Sequence, residues 1–145
     1  MNLILFGPPG VGKGTQGERL ATEEGIQHMA MGDLLRAAVR EGTDAGLKAK
    51  TFMDGGKLVP DDVVVAMIEE KIAADKDAGF LLDGFPRNVS QAQALDAMLA
   101  KHGVSIDHVV FMDAPKESLL VRLSGRLICR ACGFDCSSFA VDHLN

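Results

Sequence analysis

The stretch Gly7-Pro8-Pro9-Gly10-Val11-Gly12-Lys13-Gly14-Thr15 follows directly on the apolar run Leu3-Ile4-Leu5-Phe6, and that junction restricts the chain more than any other feature. A short apolar strand that passes through a glycine-rich loop into helical sequence belongs in a parallel α/β sheet, with the loop at the strand's carboxyl end. Glycines let successive backbone N–H groups converge on one anion, the following helix N-terminus adds partial positive charge, and Lys13 supplies a full one. The ligand suited to this chemistry is a nucleotide polyphosphate, held by Gly10, Val11, Gly12, Lys13, Gly14 and Thr15. Gly14 stands where most such loops place the hydroxyl that touches magnesium, and Thr15 comes one residue late.

Strand signals recur at Asn2 to Phe6, Ile26 to Ala30, Phe80 to Leu82 and His108 to Met112, with helical pattern between them, so the chain alternates β and α. Helices are expected over Lys13 to Glu24 with Gly25 as the stop, over Asp33 to Arg40, and over Thr43 to Met53. A further helix begins after Pro60 with Asp61 or Asp62 as cap and buries Val64, Met67, Ile68 and Ile72. Ser90 is expected to cap the next, in which Leu95, Met98 and Leu99 face inward, and Lys116 to about Arg126 forms the last. The segment before Pro60 has no strong strand of its own and reads as a small helical insertion over the crevice at the strand ends.

The balance of 15 basic to 20 acidic residues gives a net charge of −5, which speaks against a nucleic-acid polymer or an anionic membrane as partner. Anion binding must therefore be local. No apolar run reaches the length of a membrane span and no leader pattern opens the chain, so a cytoplasmic location is expected. Three cysteines, Cys129, Cys132 and Cys136, are an odd number and do not suggest a disulfide framework. His28, His102 and His108 have no cysteine or carboxylate pairing visible in the sequence and read as surface or packing residues.

Phe80-Leu81-Leu82-Asp83-Gly84-Phe85-Pro86-Arg87 is an apolar strand ending in a carboxylate, followed by an arginine held by a proline turn. An acid at that strand end, beside a phosphate loop, organises magnesium. With Gly14 unable to ligate, Asp83 is expected to act through the metal's water shell. Arg36, in Gly32-Asp33-Leu34-Leu35-Arg36, offers a planar fork suited to a phosphate dianion. Arg122 and Arg126 are like charges one helical turn apart, a mild repulsion that an anion between them would remove.

Taken together, Gly-Pro-Pro-Gly-Val-Gly-Lys-Gly-Thr-Gln at 7–16, Gly-Asp-Leu-Leu-Arg at 32–36, Lys57-Leu58-Val59 and Asp-Gly-Phe-Pro-Arg at 83–87 resemble the adenylate kinase family. The order and spacing match over residues 1 to about 133, and Lys-Gly-Thr in the loop is usual for nucleoside monophosphate kinases. The resemblance implies a P-loop nucleoside-triphosphate-binding α/β fold, with a parallel sheet of about four strands flanked by helices. It implies a core over 1–29 and 60–125, a helical monophosphate-binding insertion over 30–59 and an incomplete lid over 126–145. By the same resemblance, Gly10 to Thr15, Arg122 and Arg126 hold ATP with magnesium. Met31, Arg36, Lys57, Leu58, Val59, Gly84, Phe85, Pro86, Arg87 and Gln91 line the AMP side, where Gln91 reads adenine. The implied reaction transfers the terminal phosphate of ATP to AMP, with Lys13, Asp83, Arg87, Arg122 and Arg126 as its catalytic groups.

Three departures bear on that expectation. Met31 stands where the family usually has a threonine near the AMP base, which leaves kinases of UMP or CMP as an alternative that Gln91 opposes. Cys129-Arg-Ala-Cys132-Gly133 resembles the first half of a zinc-bearing lid, but no second ligand pair at family spacing follows, so zinc is not expected. The tail Phe134 to Asn145 does not resemble the family, and the arginines, strand and helices that family members carry after the lid are not placed, so a truncated chain is expected. Hence a nucleotide-binding fragment without turnover is the second reading, and association through an uncovered sheet edge at His108 to Met112 is expected in a chain whose family is monomeric. A switch GTPase is excluded, because no Asn-Lys-x-Asp segment exists.

Overall fold

The structure is a computed structural model that describes residues 1–75 and 77–125. Among these residues four parallel strands form one sheet in the order β2-β3-β1-β4: β1 (Asn2–Phe6), β2 (Gln27–Ala30), β3 (Phe80–Asp83) and β4 (His108–Phe111). Leu5 of β1 and Ala30 of β2 both lie level with Asp83 of β3. Three carboxyl ends therefore share one rim, which is the α/β arrangement read from the sequence.

Strand alternation divides the core. Leu3, Leu5 and Leu81 point to one face, where Leu20, Ile26 and Met112 pack on them. Ile4, Phe80 and Leu82 point to the other and join the larger cluster with Met67, Ile68, Ile72, Leu95, Met98 and Leu99. Leu81, Leu82 and Ile68 are fully enclosed. Truncating any one of them to alanine removes about 2–5 kcal/mol of stability.

Helix α1 (Lys13–Glu24) leaves the glycine loop and stops at Gly25, whose left-handed conformation lets its N–H bond to the Ala21 carbonyl. Helix α2 (Met31–Glu41) starts straight off β2, two residues before the position expected at Asp33, because Ala30 ends the strand and acts as N-cap with no loop between. Helix α3 (Asp44–Asp54) is capped by the Thr43 hydroxyl, which accepts from Gly46 N at 3.1 Å. Ala45 and Ala49 of α3 join Leu34 and Ala38 of α2 in the main core, so the insertion is packed on the body rather than laid beside it.

Helix α4 (Asp61–Ala74) and helix α5 (Val89–Lys101) correct two expected caps. Pro60 is the N-cap of α4, leaving Asp61 and Asp62 in its first turn, where they complement the helix dipole. Asn88 caps α5, its Oδ1 accepting from Gln91 N at 2.9 Å, and Ser90 lies inside the first turn. Helix α6 (Lys116–Ser124) buries none of its residues, and every residue of β4 is exposed. Among the described residues no helix is long and apolar enough to cross a membrane.

Candidate functional site

The glycine loop runs between the end of β1 and the start of α1 and is held from two sides. A Cβ at Gly10 would lie 3.0 Å from Cγ of Leu123, and one at Gly7 would lie 2.5 Å from the Met112 carbonyl oxygen, so α6 and the end of β4 fit only a bare backbone. Lys13 Nζ donates to the carbonyls of Gly7 at 2.9 Å and Pro8 at 3.1 Å. Its ammonium thus bridges the loop's entry and retains one donor hydrogen. From α6, Arg122 Nη1 donates to the carbonyls of Gly10 and Val11, both at 3.4 Å, which places a guanidinium on the loop. Gly12, at φ +101°, is the N-cap of α1 with no side-chain cap, so the first amides of the helix are free to meet an anion.

Asp83 ends β3 beneath this loop and, at 8% exposure, is the single buried charged residue among those described. Its Oδ2 lies 4.0 Å from where a Cβ on Gly14 would be, so the carboxylate and the first turn of α1 face each other across the missing side chain. His28 Nε2 lies 3.5 Å from Asp83 Oδ2, fully enclosed and without a hydrogen-bond partner among the described residues. The fold thus sets beside His28 a carboxylate that the sequence did not pair with it, while the ring keeps its packing position. The signal lay in the parallel pairing of β2 with β3, which sets Met29 and Ala30 opposite Leu82 and Asp83.

The second group of expected residues leaves the ends of β2 and β3. Gly84, at φ +83°, and the cis Phe85–Pro86 peptide turn the chain so that Arg87 Nε donates to the Gly84 carbonyl at 2.8 Å. Arg36 is exposed and ion-paired with Asp33 on its own helix, with its guanidinium lying over Gly32. Met31 is buried beside Gly84 and belongs to the main core, and Phe85 is buried with it. Lys57, Leu58 and Val59 link α3 to α4: Leu58 stands free at 95% exposure, while Val59 packs against the core. Gln91 is held at both ends of its amide, Oε1 accepting from Arg87 N and Nε2 donating to Asp61 Oδ1, each at 2.7 Å. Sequence reasoning missed Asp61, which is 30 residues from Gln91 and gives no local sign of the contact.

Away from the rim, Glu69 Oε1 on α4 accepts from Lys101 Nζ at 2.8 Å and His102 Nε2 at 2.7 Å at the end of α5. These two bonds, Lys101 first, hold its carboxyl below the ordinary carboxylate range. His102 is thus paired with a carboxylate, a correction to the expectation from sequence. His108 is exposed on β4. No cluster of three or more metal-ligating side chains occurs among the described residues. Arg126, Cys129, Cys132 and Cys136 lie outside the described residues.

The arrangement offers an anion cradle at the end of β1, an acid at the end of β3 and arginines on the segments after β2 and β3. Comparison with known proteins gives the family. The family model described as adenylate kinase matches residues 5–144, past Gly133 and farther than the motifs alone carry the resemblance. Proteins named adenylate kinase from Carboxydothermus hydrogenoformans, Desulforamulus reducens and Geobacter sp. are 54%, 53% and 57% identical over 134 residues. Each alignment covers 92% of this chain and 63% of the relative's own length, so the chain spans under two thirds of the curated relatives it matches. A match of this extent, over the same loop, strand ends and helix starts that the sheet sets side by side, shows that the chain belongs to the adenylate kinase family.

Proposed function

We propose that this chain binds ATP and AMP on adjoining sites and transfers the terminal phosphate of ATP to AMP, giving two ADP. The observation that supports this reading most is the register that levels Leu5 and Ala30 with Asp83, because it brings the glycine loop, Met31 to Arg36 and Gly84 to Arg87 to one rim. In this reading Gly10 to Thr15 cradle the triphosphate, with Arg122, and Arg126 beyond the described residues, on the same side. Residues 30–59 form the monophosphate-binding segment on a core of 1–29 and 60–125, and 126–145 belong to a partial lid. Arg36 and Arg87 grip the acceptor phosphate, and Met31, Lys57 to Val59, Gly84 to Pro86 and Gln91 surround its nucleoside. The transfer is in-line: an oxygen of the AMP phosphate attacks the terminal phosphorus, and the bond to the bridging oxygen of ADP breaks. The chain's contribution is to align the two phosphates and to set Lys13, Arg87 and Arg122 around the charge on the transferred group.

Asp83 and Gly14 fit magnesium held through its own water, since a nearly buried carboxylate without a hydrogen-bond donor faces a position that has no oxygen to ligate directly. When bound with ATP, the ion supplies further neutralisation of phosphate charge. Zinc has no part in this reading. A cytoplasmic setting accords with it, and self-association through β4 is part of it.

A titration with a bisubstrate analogue, paired with a coupled assay for ADP, tests the proposal. Tight one-to-one binding with ADP formation supports it, and absence of binding for either nucleotide refutes it. Arg87→Ala is expected to weaken AMP binding by about tenfold or more while leaving ATP binding unchanged. Equal losses for both would show that the sites are wrongly divided. A second reading is nucleotide binding without turnover. It predicts saturable binding with no ADP formed.

A further inference from the structure

We propose that Asp61 sets the base specificity of the monophosphate site by fixing which way the Gln91 side-chain amide points. The inference rests on the reading that Gln91 faces the base, and it names the side chain that, with the Arg87 N–H, makes that readout one-directional. Gln91 is tied at three points: its backbone N–H donates to Asn88 Oδ1 at 2.9 Å, its Oε1 accepts from Arg87 N at 2.7 Å, and its Nε2 donates to Asp61 Oδ1 at 2.7 Å. A carboxylate only accepts and a backbone N–H only donates, so rotating the amide by half a turn would set oxygen against oxygen and N–H against N–H. After these two contacts Nε2 keeps one hydrogen and Oε1 one lone pair. One donor and one acceptor in a fixed order match adenine, whose pairing edge offers an acceptor at the ring nitrogen and a donor at the exocyclic amine. Hypoxanthine and guanine present the reverse order, a carbonyl acceptor beside a ring N–H. Asp61 is well placed to do this because it sits in the first turn of α4, where the helix dipole favours its charge and Pro60 fixes the chain's entry. It is a positioning residue, acting on the base through Gln91.

The test is titration calorimetry of AMP and inosine monophosphate into the unaltered chain and into Asp61→Leu and Asp61→Ala, with ribose phosphate as a base-free probe. The unaltered chain is expected to favour AMP. Both variants are expected to narrow the AMP-to-inosine-monophosphate ratio by roughly tenfold, the discrimination that one oriented hydrogen bond supplies, with ribose phosphate affinity unchanged. Asp61→Leu is nearly isosteric, offers no acceptor and keeps the first turn of α4 filled, so it carries the test should the alanine variant unfold. A wild-type ratio in either folded variant, or equal loss for all three probes, overturns the proposal. An unaltered chain that binds AMP without preferring it refutes the reading of Gln91 itself, and the inference falls with it. One that binds neither monophosphate refutes the proposed site.

Discussion

Lys13 has a structural duty beside the one proposed for it. Its ammonium bridges the Gly7 and Pro8 carbonyls, so it shapes the loop before any phosphate arrives. Lys13→Ala is therefore expected to lower ATP affinity by about 10- to 100-fold, with AMP affinity unchanged and a measurable drop in melting temperature. ATP affinity kept within twofold would show that the loop holds no phosphate. Glu69 makes a different prediction. Its two bonds to Lys101 and His102 depress its carboxyl in the folded state, so the native chain holds fewer protons there than the unfolded one. The stabilisation is complete above the unfolded value of about 4.3 and is lost as pH falls through the lower folded value. Glu69→Gln should thus melt below the unaltered chain at neutral pH, and the gap should close below about pH 4. A gap that persists unchanged in acid would show that the pairing contributes nothing.

At the scale of elements, the tightest joint is between α2 and α3. A Cβ at Gly46 would lie 2.0 Å from the Ala38 carbonyl oxygen and 2.9 Å from Val39 N, so the backbone of α2 leaves it no room. Gly46→Ala is expected to cost about 1–3 kcal/mol in a urea melt and to weaken AMP binding more than ATP binding, because α2 carries Arg36. Unchanged stability would mean that the two helices slide apart freely. The elements themselves were largely legible. Strand and helix periods, Gly25 as a stop and the inward residues of α4 and α5 depend on neighbours in sequence, and they lie where expected. Caps were less legible, since Pro60, Asn88 and Ser90 compete within a few residues and only backbone geometry chooses among them. The site divides the same way. The loop, Asp83, Arg36, Arg87 and Arg122 are candidates that local spacing singles out, whereas Asp61 with Gln91, His28 with Asp83 and Glu69 with His102 join segments that only the packed fold brings near.

Across the whole molecule, one side differs from the rest. Strand β4 pairs with β1 on one side and leaves Val109 at 59% and Phe111 at 69% exposure, while Leu120, Val121 and Leu123 of α6 are also open to water. An edge with no partner strand among the described residues, beside apolar side chains, favours association. Sedimentation is expected to show a mass that rises with concentration, and Phe111→Glu is expected to lower it to the monomer without altering nucleotide binding; a concentration-independent monomer would rule this out. On the opposite account stand the cations of the rim. Lys13, Arg36, Arg87 and Arg122 each already rest on an oxygen belonging to the chain. An incoming anion must out-compete those internal counter-ligands, so chloride and other weakly held monovalent ions gain little there. Only a multiply charged guest that engages several of them at once repays the exchange.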